Sequence, residues 1–169
     1  MNGEFFRLAR AAHGVSRFHT MPTIGHQSVA EHSYGVVMLV IWLTDGAASA
    51  NLMKAALYHD LPEHFLGDIP APAKWDYPDL KAAAYRVEEQ VHQRAGTALE
   101  LNQVESDLLK IADMLELICY CAEQLRLGNR NAYTVFLRGV TYLAEKCPRH
   151  PKAWELITQL REEIADVSR

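Results

Sequence analysis

Apolar residues recur at three- and four-residue intervals along nearly the whole chain, and no stretch alternates apolar with polar positions between Asn-Gly or Asp-Gly turns. This pattern predicts an all-α protein. A short amphipathic helix is expected over 3–12 and further helices over 28–44, 49–60, 78–96, 103–127, 132–146 and 152–165. Ser28 with Glu31, and Asn102 with Glu105, have the spacing of capping boxes that open the second and fifth of these helices. Pro62 ends the third, Pro78 suits the first turn of the fourth, Gly128-Asn129 closes the fifth, and Pro148 and Pro151 separate the last two.

Two stretches cannot sustain the pattern. Residues 14–27 (GVSRFHTMPTIGHQ) mix glycine, proline and polar residues, and residues 62–78 carry Pro62, Gly67, Pro70, Pro72 and Pro78 with room for one short turn near Glu63 to Phe65. Most connections in compact domains are about four to six residues, so loops this long are expected to bind something.

With 169 residues, about half of them hydrophobic, and no repeat or linker, the chain suits one helical domain over 1–169, of about six or seven helices. The formal net charge of -4 leaves no basic excess for duplex nucleic acid or an anionic membrane, so neither is an expected partner. The N-terminal residues lack an apolar signal core, and the longest apolar run, Val36 to Leu43, falls far below the roughly 20 residues of a membrane span, so a cytoplasmic protein is expected. Cys119, Cys121 and Cys147 form an odd set without CxxC spacing and are read as reduced thiols without chemistry.

Four polar residues fall on apolar helical stripes. His32 shares a face with Val29, Val36 and Leu39; His59 aligns with Leu52, Ala55 and Ala56; Asp60 aligns with Met53, Ala56 and Leu57; and Asp113 lies between Leu109 and Leu117. Taken singly, each has an ordinary explanation: a hydrogen-bonded core histidine, or an aspartate paired with Lys54 or Lys110. A carboxylate buried alone is too costly to keep charged. Two imidazoles and two carboxylates on three helices, two of them adjacent beside a proline-rich loop, instead suit a divalent manganese, iron, cobalt, nickel or zinc ion. Such an ion acidifies water and neutralises phosphoryl oxygens, and Glu63 is placed to position that water or carry its proton.

The segments Val29-Ala30-Glu31-His32-Ser33, Tyr58-His59-Asp60-x-x-Glu63, Gly67-Asp68-x-Pro70-x-Pro72-x-Lys74 and Ile111-Ala112-Asp113 resemble the HD-domain phosphohydrolases. The similarity spans roughly 17–128 and is to the small branch containing bacterial 5′-deoxynucleotidases and phage deoxynucleotide triphosphohydrolases. The resemblance implies a compact helical, homo-oligomeric enzyme with His32, His59, Asp60 and Asp113 as metal ligands. It implies Glu63 as the catalytic carboxylate, Asp68 as a group aligning water or substrate, and Arg17 and Lys74 as phosphate contacts. By the same resemblance Phe18 is expected at the nucleoside, with Thr20, Ile24 and Pro72 expected as further substrate contacts and a second metal ion expected to accompany the substrate phosphates. Phe18 replaces the tryptophan of the bacterial monophosphatases and Leu66-Gly67-Asp68 replaces their Thr-Gly-Asp, which turns the comparison toward the phage branch and its dATP triphosphohydrolase.

The expected reaction therefore converts a purine deoxynucleoside triphosphate to deoxynucleoside and triphosphate. The alternative is a 5′-deoxynucleotidase acting on monophosphates. A catalytically silent nucleotide-binding module is a third reading, which would be expected to lack a ligand or the glutamate, and here all are present. A triphosphate tail would draw on Arg17, Lys74, His19, His64, Lys81 and Arg86, and a base on Phe18, Met21, Ile24 and Trp75.

Overall fold

A computed structural model describes residues 3–146 and 148–167. In chain order the helices are α1 (Gly3–Ala12), α2 (Val29–Leu43), α3 (Ala50–Tyr58), α4 (Glu63–Leu66), α5 (Ala71–Asp76), α6 (Pro78–Ala95), α7 (Gln103–Arg126), α8 (Ala132–Lys146) and α9 (Pro151–Val167). Both expected capping boxes form, Ser28 with Glu31 and Asn102 with Glu105. Ser49 caps α3 by accepting the Leu52 N–H, and its hydroxyl donates to Glu105 at 2.5 Å, which ties the starts of α3 and α7 together.

Nine helices among the described residues exceed the six or seven expected, because the proline-rich segment contains α4 and α5. Pro70 stands at the N-cap of α5 and Pro72 within its first turn, where a missing N–H costs nothing. Gly67, at φ 69°, ends α4 in a conformation that favours glycine. Cys147 lies outside the described residues.

The core is organised around α7. Its Ile111, Leu115, Ile118 and Ala122 pack with Val36 and Val40 of α2, Leu52 and Ala56 of α3, Phe136 of α8, and Ile157 of α9. Two glycines permit the close approaches: a Cβ on Gly35 of α2 would lie 2.8 Å from Glu116 Cγ, and one on Gly139 of α8 would lie 3.0 Å from Ile118 Cγ1. Helix α1 seals a smaller cluster, Leu8 against Val91 and Ala95 of α6. None of the described helices is long and apolar enough to cross a membrane.

The loop between α1 and α2 is closed at its base by an antiparallel bridge between Ser16 and Ser28, with Arg17 N–H donating to the Gln27 carbonyl at 2.8 Å. Its far end is tied to α7. The Ile24 N–H donates to Gln124 Oε1 at 2.8 Å, Gln124 Nε2 donates to the Ile24 carbonyl at 2.9 Å, and Asn129 Nδ2 donates to the Pro22 carbonyl at 2.8 Å. Gln124 is buried, so Gln124→Leu should cost about 1–3 kcal/mol and make this loop the first point of cleavage in limited proteolysis. Unchanged protease resistance would show that the tether does not hold the loop.

Candidate active site

The three elements that carry the four polar residues converge. His32 is fully buried on the inner face of α2, as its stripe predicts. His59 is the C-cap of α3, so Asp60 lies beyond the helix. The stripe invoked for Asp60 is therefore corrected: Met53 and Leu57 are 39% and 50% exposed, and the tight turn after Tyr58, with Leu61 N–H donating to the Tyr58 carbonyl at 3.0 Å, swings Asp60 inward. Asp113 joins the same cluster. Its side chain is 42% exposed and opens on a cavity, and its charge partners are His32 and His59, which sets aside the alternative of an ordinary pair with Lys54 or Lys110.

His32 Nε2 lies 3.2 Å from His59 Nε2, 3.3 Å from Asp60 Oδ2 and 3.1 Å from Asp113 Oδ1. His59 Nε2 lies 3.3 Å from Asp60 Oδ2 and 3.8 Å from Asp113 Oδ1. The far nitrogen of each ring is occupied elsewhere. His59 Nδ1 donates to the Ala56 carbonyl at 2.8 Å, and His32 Nδ1 donates to Glu116 Oε2. A carbonyl can only accept, so Nδ1 of His59 carries the hydrogen and Nε2 presents a lone pair to the cluster.

Two imidazole lone pairs and two carboxylate oxygens at these separations repel one another unless a positive charge sits among them. Donors bonded at about 2.1 Å to one ion at tetrahedral or octahedral angles stand roughly 3.0–3.4 Å apart, close to the spacings seen. His32, His59 and Asp113 form a mutually close donor group, with Asp60 against both imidazoles, and the donor set fits a divalent ion.

In the metal-free chain, protons share that task. Burial and the Arg17 charge pull His32 down, but hydrogen bonds to Asp113, Asp60 and Glu116 hold it well above its ordinary range. Burial pulls His59 down as well, and Asp60 and Asp113 raise it. Burial alone would raise Asp60 and Asp113, but the two histidines, joined by Arg17 at Asp60, hold both carboxyls below their usual range. Glu63 behaves oppositely. It is 5% exposed, and burial together with the Asp60 charge pushes it up to about 9, while its Oε2 finds no hydrogen-bond partner among the described residues. Burial also pushes Cys119 and Cys121 up to about 12, so neither is a thiolate near neutral pH.

A cavity of about 850 Å³ opens over the cluster, and Arg17, Phe18, Thr20, His59, Asp60, Asp68, Pro72, Lys74 and Asp113 all line it. Glu63 and His32 stand behind this wall. Ile24 does not reach it, because Gln124 grips its backbone and its side chain is half exposed. His19, His64 and Arg86 also lie outside the lining, whereas Met21, Trp75, Lys81 and Lys110 belong to it.

Asp68 docks the first loop, accepting the Phe18 N–H at 3.1 Å, with His19 Nδ1 3.8 Å away. Phe18 has φ 55°, rare for a side chain of this size, and its ring packs at 4.7 Å on Tyr120. The backbone is thus held in a sparsely populated conformation at the point where the loop meets the cavity. Burial lowers Lys74, but Asp60, Asp113, Glu63 and Glu88 raise it further, so its charge persists.

Three further residues belong to the site. Glu116 lies one helical turn after Asp113 in the same apolar run, so the signal that marks Asp113 marks it as well. Glu88 of α6 lines the cavity, and Gln27 is buried beneath it; neither sits on a motif.

A family model described as 5′-deoxynucleotidase YfbR-like matches residues 4–146. A dATP triphosphohydrolase of Salmonella phage PMBT28 is 30% identical over 180 aligned positions, covering 95% of this chain and 87% of the relative. A 5′-deoxynucleotidase of Vibrio atlanticus is 26% identical over 141 residues, covering 68% of this chain and 71% of the relative. Among solved structures, the cyanophage S-2L HD phosphohydrolase DatZ, bound to dA and one catalytic Zn2+ ion, shares the fold with a TM-score of 0.72. It is 23% identical, and the match covers 95% and 96% of the two chains.

The buried Glu63 makes stability depend on pH in a definite direction. Its folded value, about 9, lies above the ordinary 4.5, so the unfolded chain releases a proton that the folded chain keeps, and stability falls as pH climbs through that window. Glu63→Gln removes this loss. In metal-free protein the variant should melt at least about 3 °C above the wild type at pH 8, with the gap closing near pH 4.5. Equal melting temperatures at pH 8 would show that Glu63 is not held in its neutral form.

Proposed function

The chain belongs to the YfbR-like 5′-deoxynucleotidase family of HD-domain phosphohydrolases, and from that premise we propose that it is a metal-dependent triphosphohydrolase of 2′-deoxynucleotides. It favours dATP or another purine deoxynucleoside triphosphate and releases deoxynucleoside and triphosphate. The observation that carries this reading is that the donor cluster opens into a cavity also lined by four cationic side chains, Arg17, Lys74, Lys81 and Lys110. Arg17 and Lys74 suffice for one phosphoryl group. The two further lysines, near the Tyr142 ring at 6.0 and 5.6 Å, suit the charge of a longer tail.

His32, His59, Asp60 and Asp113 would hold a first-row divalent ion such as zinc, cobalt, manganese, iron or nickel, a reading supported by the close donor group of His32, His59 and Asp113, by Asp60 against both imidazoles, and by the Zn2+ in the cyanophage structure. The chemistry such an ion supplies when bound is Lewis acidity toward a phosphoryl oxygen and an acidified attacking water. Among the described residues only one donor group converges, so a second ion would depend on the substrate's own phosphates.

Arg17 is fixed by Asp60 at 3.0 Å and faces the cavity, where it orients a phosphoryl group and balances its charge. Glu63 takes up the proton of the attacking water. Its Oε2, without a hydrogen-bond partner among the described residues, offers the acceptor, and the carboxyl, which burial and the Asp60 charge push up to about 9, would ionise more readily beside a cation held by the four ligands. Phe18, Met21 and Trp75 give the nucleoside an apolar wall. The stripe of Tyr34, Met38 and Trp42 on the outer face of α2, 67%, 47% and 39% exposed, supports the expected homo-oligomer.

A second reading, a 5′-deoxynucleotidase acting on monophosphates, is favoured by the family description and the Vibrio relative. Product analysis separates the two. Tripolyphosphate from dATP is expected, whereas orthophosphate from dAMP with inert dATP would establish the second.

Two variants test the division of labour. Asp113→Ala should lose bound metal and activity together, while Glu63→Gln should retain the metal and lose about 10²- to 10⁴-fold in kcat. Full turnover by the glutamine variant would remove Glu63 from the chemistry.

A further inference from the structure

Gln27 and Glu116 lie outside the donor cluster, yet they complete a closed ring of polar contacts around its buried side. Arg17 Nη1 donates to Asp60 Oδ2 at 3.0 Å, and Arg17 Nε donates to Gln27 Oε1 at 3.2 Å. Gln27 Nε2 donates to Glu116 Oε1 at 2.6 Å, and Glu116 Oε2 accepts from His32 Nδ1. The ring closes where His32 Nε2 lies 3.3 Å from Asp60 Oδ2. Arg17, Gln27, His32 and Glu116 are 8%, 5%, 0% and 8% exposed, so water does not compete for these contacts.

The directions of the hydrogen bonds in this ring follow from the Arg17 guanidinium and the Glu116 carboxylate. A guanidinium only donates, so Gln27 must turn its oxygen toward Arg17 and its amide nitrogen toward residue 116. Residue 116 must then accept on that side. Its other oxygen accepts from His32 Nδ1, which leaves Nε2 of the neutral imidazole with its lone pair toward the cluster. Helix α2 makes room for this arrangement, since any side chain at Gly35 would press on Glu116 Cγ at 2.8 Å.

We propose that Gln27 and Glu116 are positioning residues that lock the metal-facing edge of His32 and the phosphate-facing Arg17 into one rigid unit, an inference that rests on the reading of His32 and Asp60 as metal ligands. Glu116 sets which nitrogen of His32 faces the ion. Gln27 carries the same constraint to Arg17, so that the ion and the arginine keep a fixed separation matched to one phosphoryl group.

Amide substitutions test the ring without changing its shape. In Glu116→Gln, an amide oxygen turned to His32 leaves its nitrogen facing the Gln27 nitrogen, and flipping Gln27 only moves the clash to Arg17. In Gln27→Glu, two carboxylates face each other. In the double variant, the carboxylate now at position 27 accepts both from Arg17 and from the amide nitrogen now at position 116. The amide oxygen at 116 again accepts from His32, so the donor-acceptor order is restored.

Apo protein prepared with a chelator would be titrated with Zn2+ against a chromophoric competitor, with circular dichroism reporting the fold. Each single variant is expected to weaken Zn2+ binding about 10- to 100-fold, and the double to return within about threefold of wild type. If Glu116→Gln does not fold, the same comparison is made between Gln27→Glu and the double. The proposal is overturned if the single variants bind Zn2+ within threefold of a wild type that binds it, or if the double binds no better than either single. A wild type that binds no Zn2+, Co2+ or Mn2+ would instead overturn the metal reading itself.

Discussion

Two imidazole nitrogens and two carboxylate oxygens crowd together at the junction of α2, the end of α3 and α7, with contacts of 3.1 to 3.8 Å. Groups of this kind stay together in a folded chain only if positive charge is shared among them, by protons in the metal-free state or by a cation. Much of the surrounding structure serves that requirement. The core fixes α2 and α3 against α7, the far nitrogen of each imidazole is bonded elsewhere, and Gly35 leaves space for Glu116 beneath His32.

The two long connections bring the remaining chemistry to this junction. The first is held at its base by the bridge between Ser16 and Ser28, at its far end by Gln124 and Asn129, and at Phe18 by Asp68, so Arg17 is buried against Asp60 with little freedom. The second folds into α4 and α5, which place Glu63 behind the cluster and Lys74 in front of it. On the proposed function, pre-organised charge of this sort would need no rearrangement when a phosphoryl group arrives, which is how such sites favour a transition state over a ground state.

Much of this was legible in the order of residues. Helical periodicity and the two capping boxes located the seven longer helices, and the inward stripe correctly placed His32. Other features depended on tertiary context. The turn that carries Asp60 inward runs against the periodicity of α3, because Met53 and Leu57 on that stripe face solvent. Helix α5 is hidden in the sequence because prolines that break helices also start them, and Ile24 lies outside the cavity lining because its backbone serves as a tether. Glu116 carried the same signal as Asp113, a carboxylate in an apolar run. Gln27 had none, since its role exists only where a loop and two helices meet.

The central claim is that these four side chains grip one divalent ion. Anomalous-difference crystallography of protein grown with Zn2+ or Mn2+ tests it directly. A strong peak is expected about 2.0–2.3 Å from His32 Nε2, His59 Nε2 and the carboxylates of Asp60 and Asp113. A map without density there at saturating metal, or with the ion held by other residues, would contradict it.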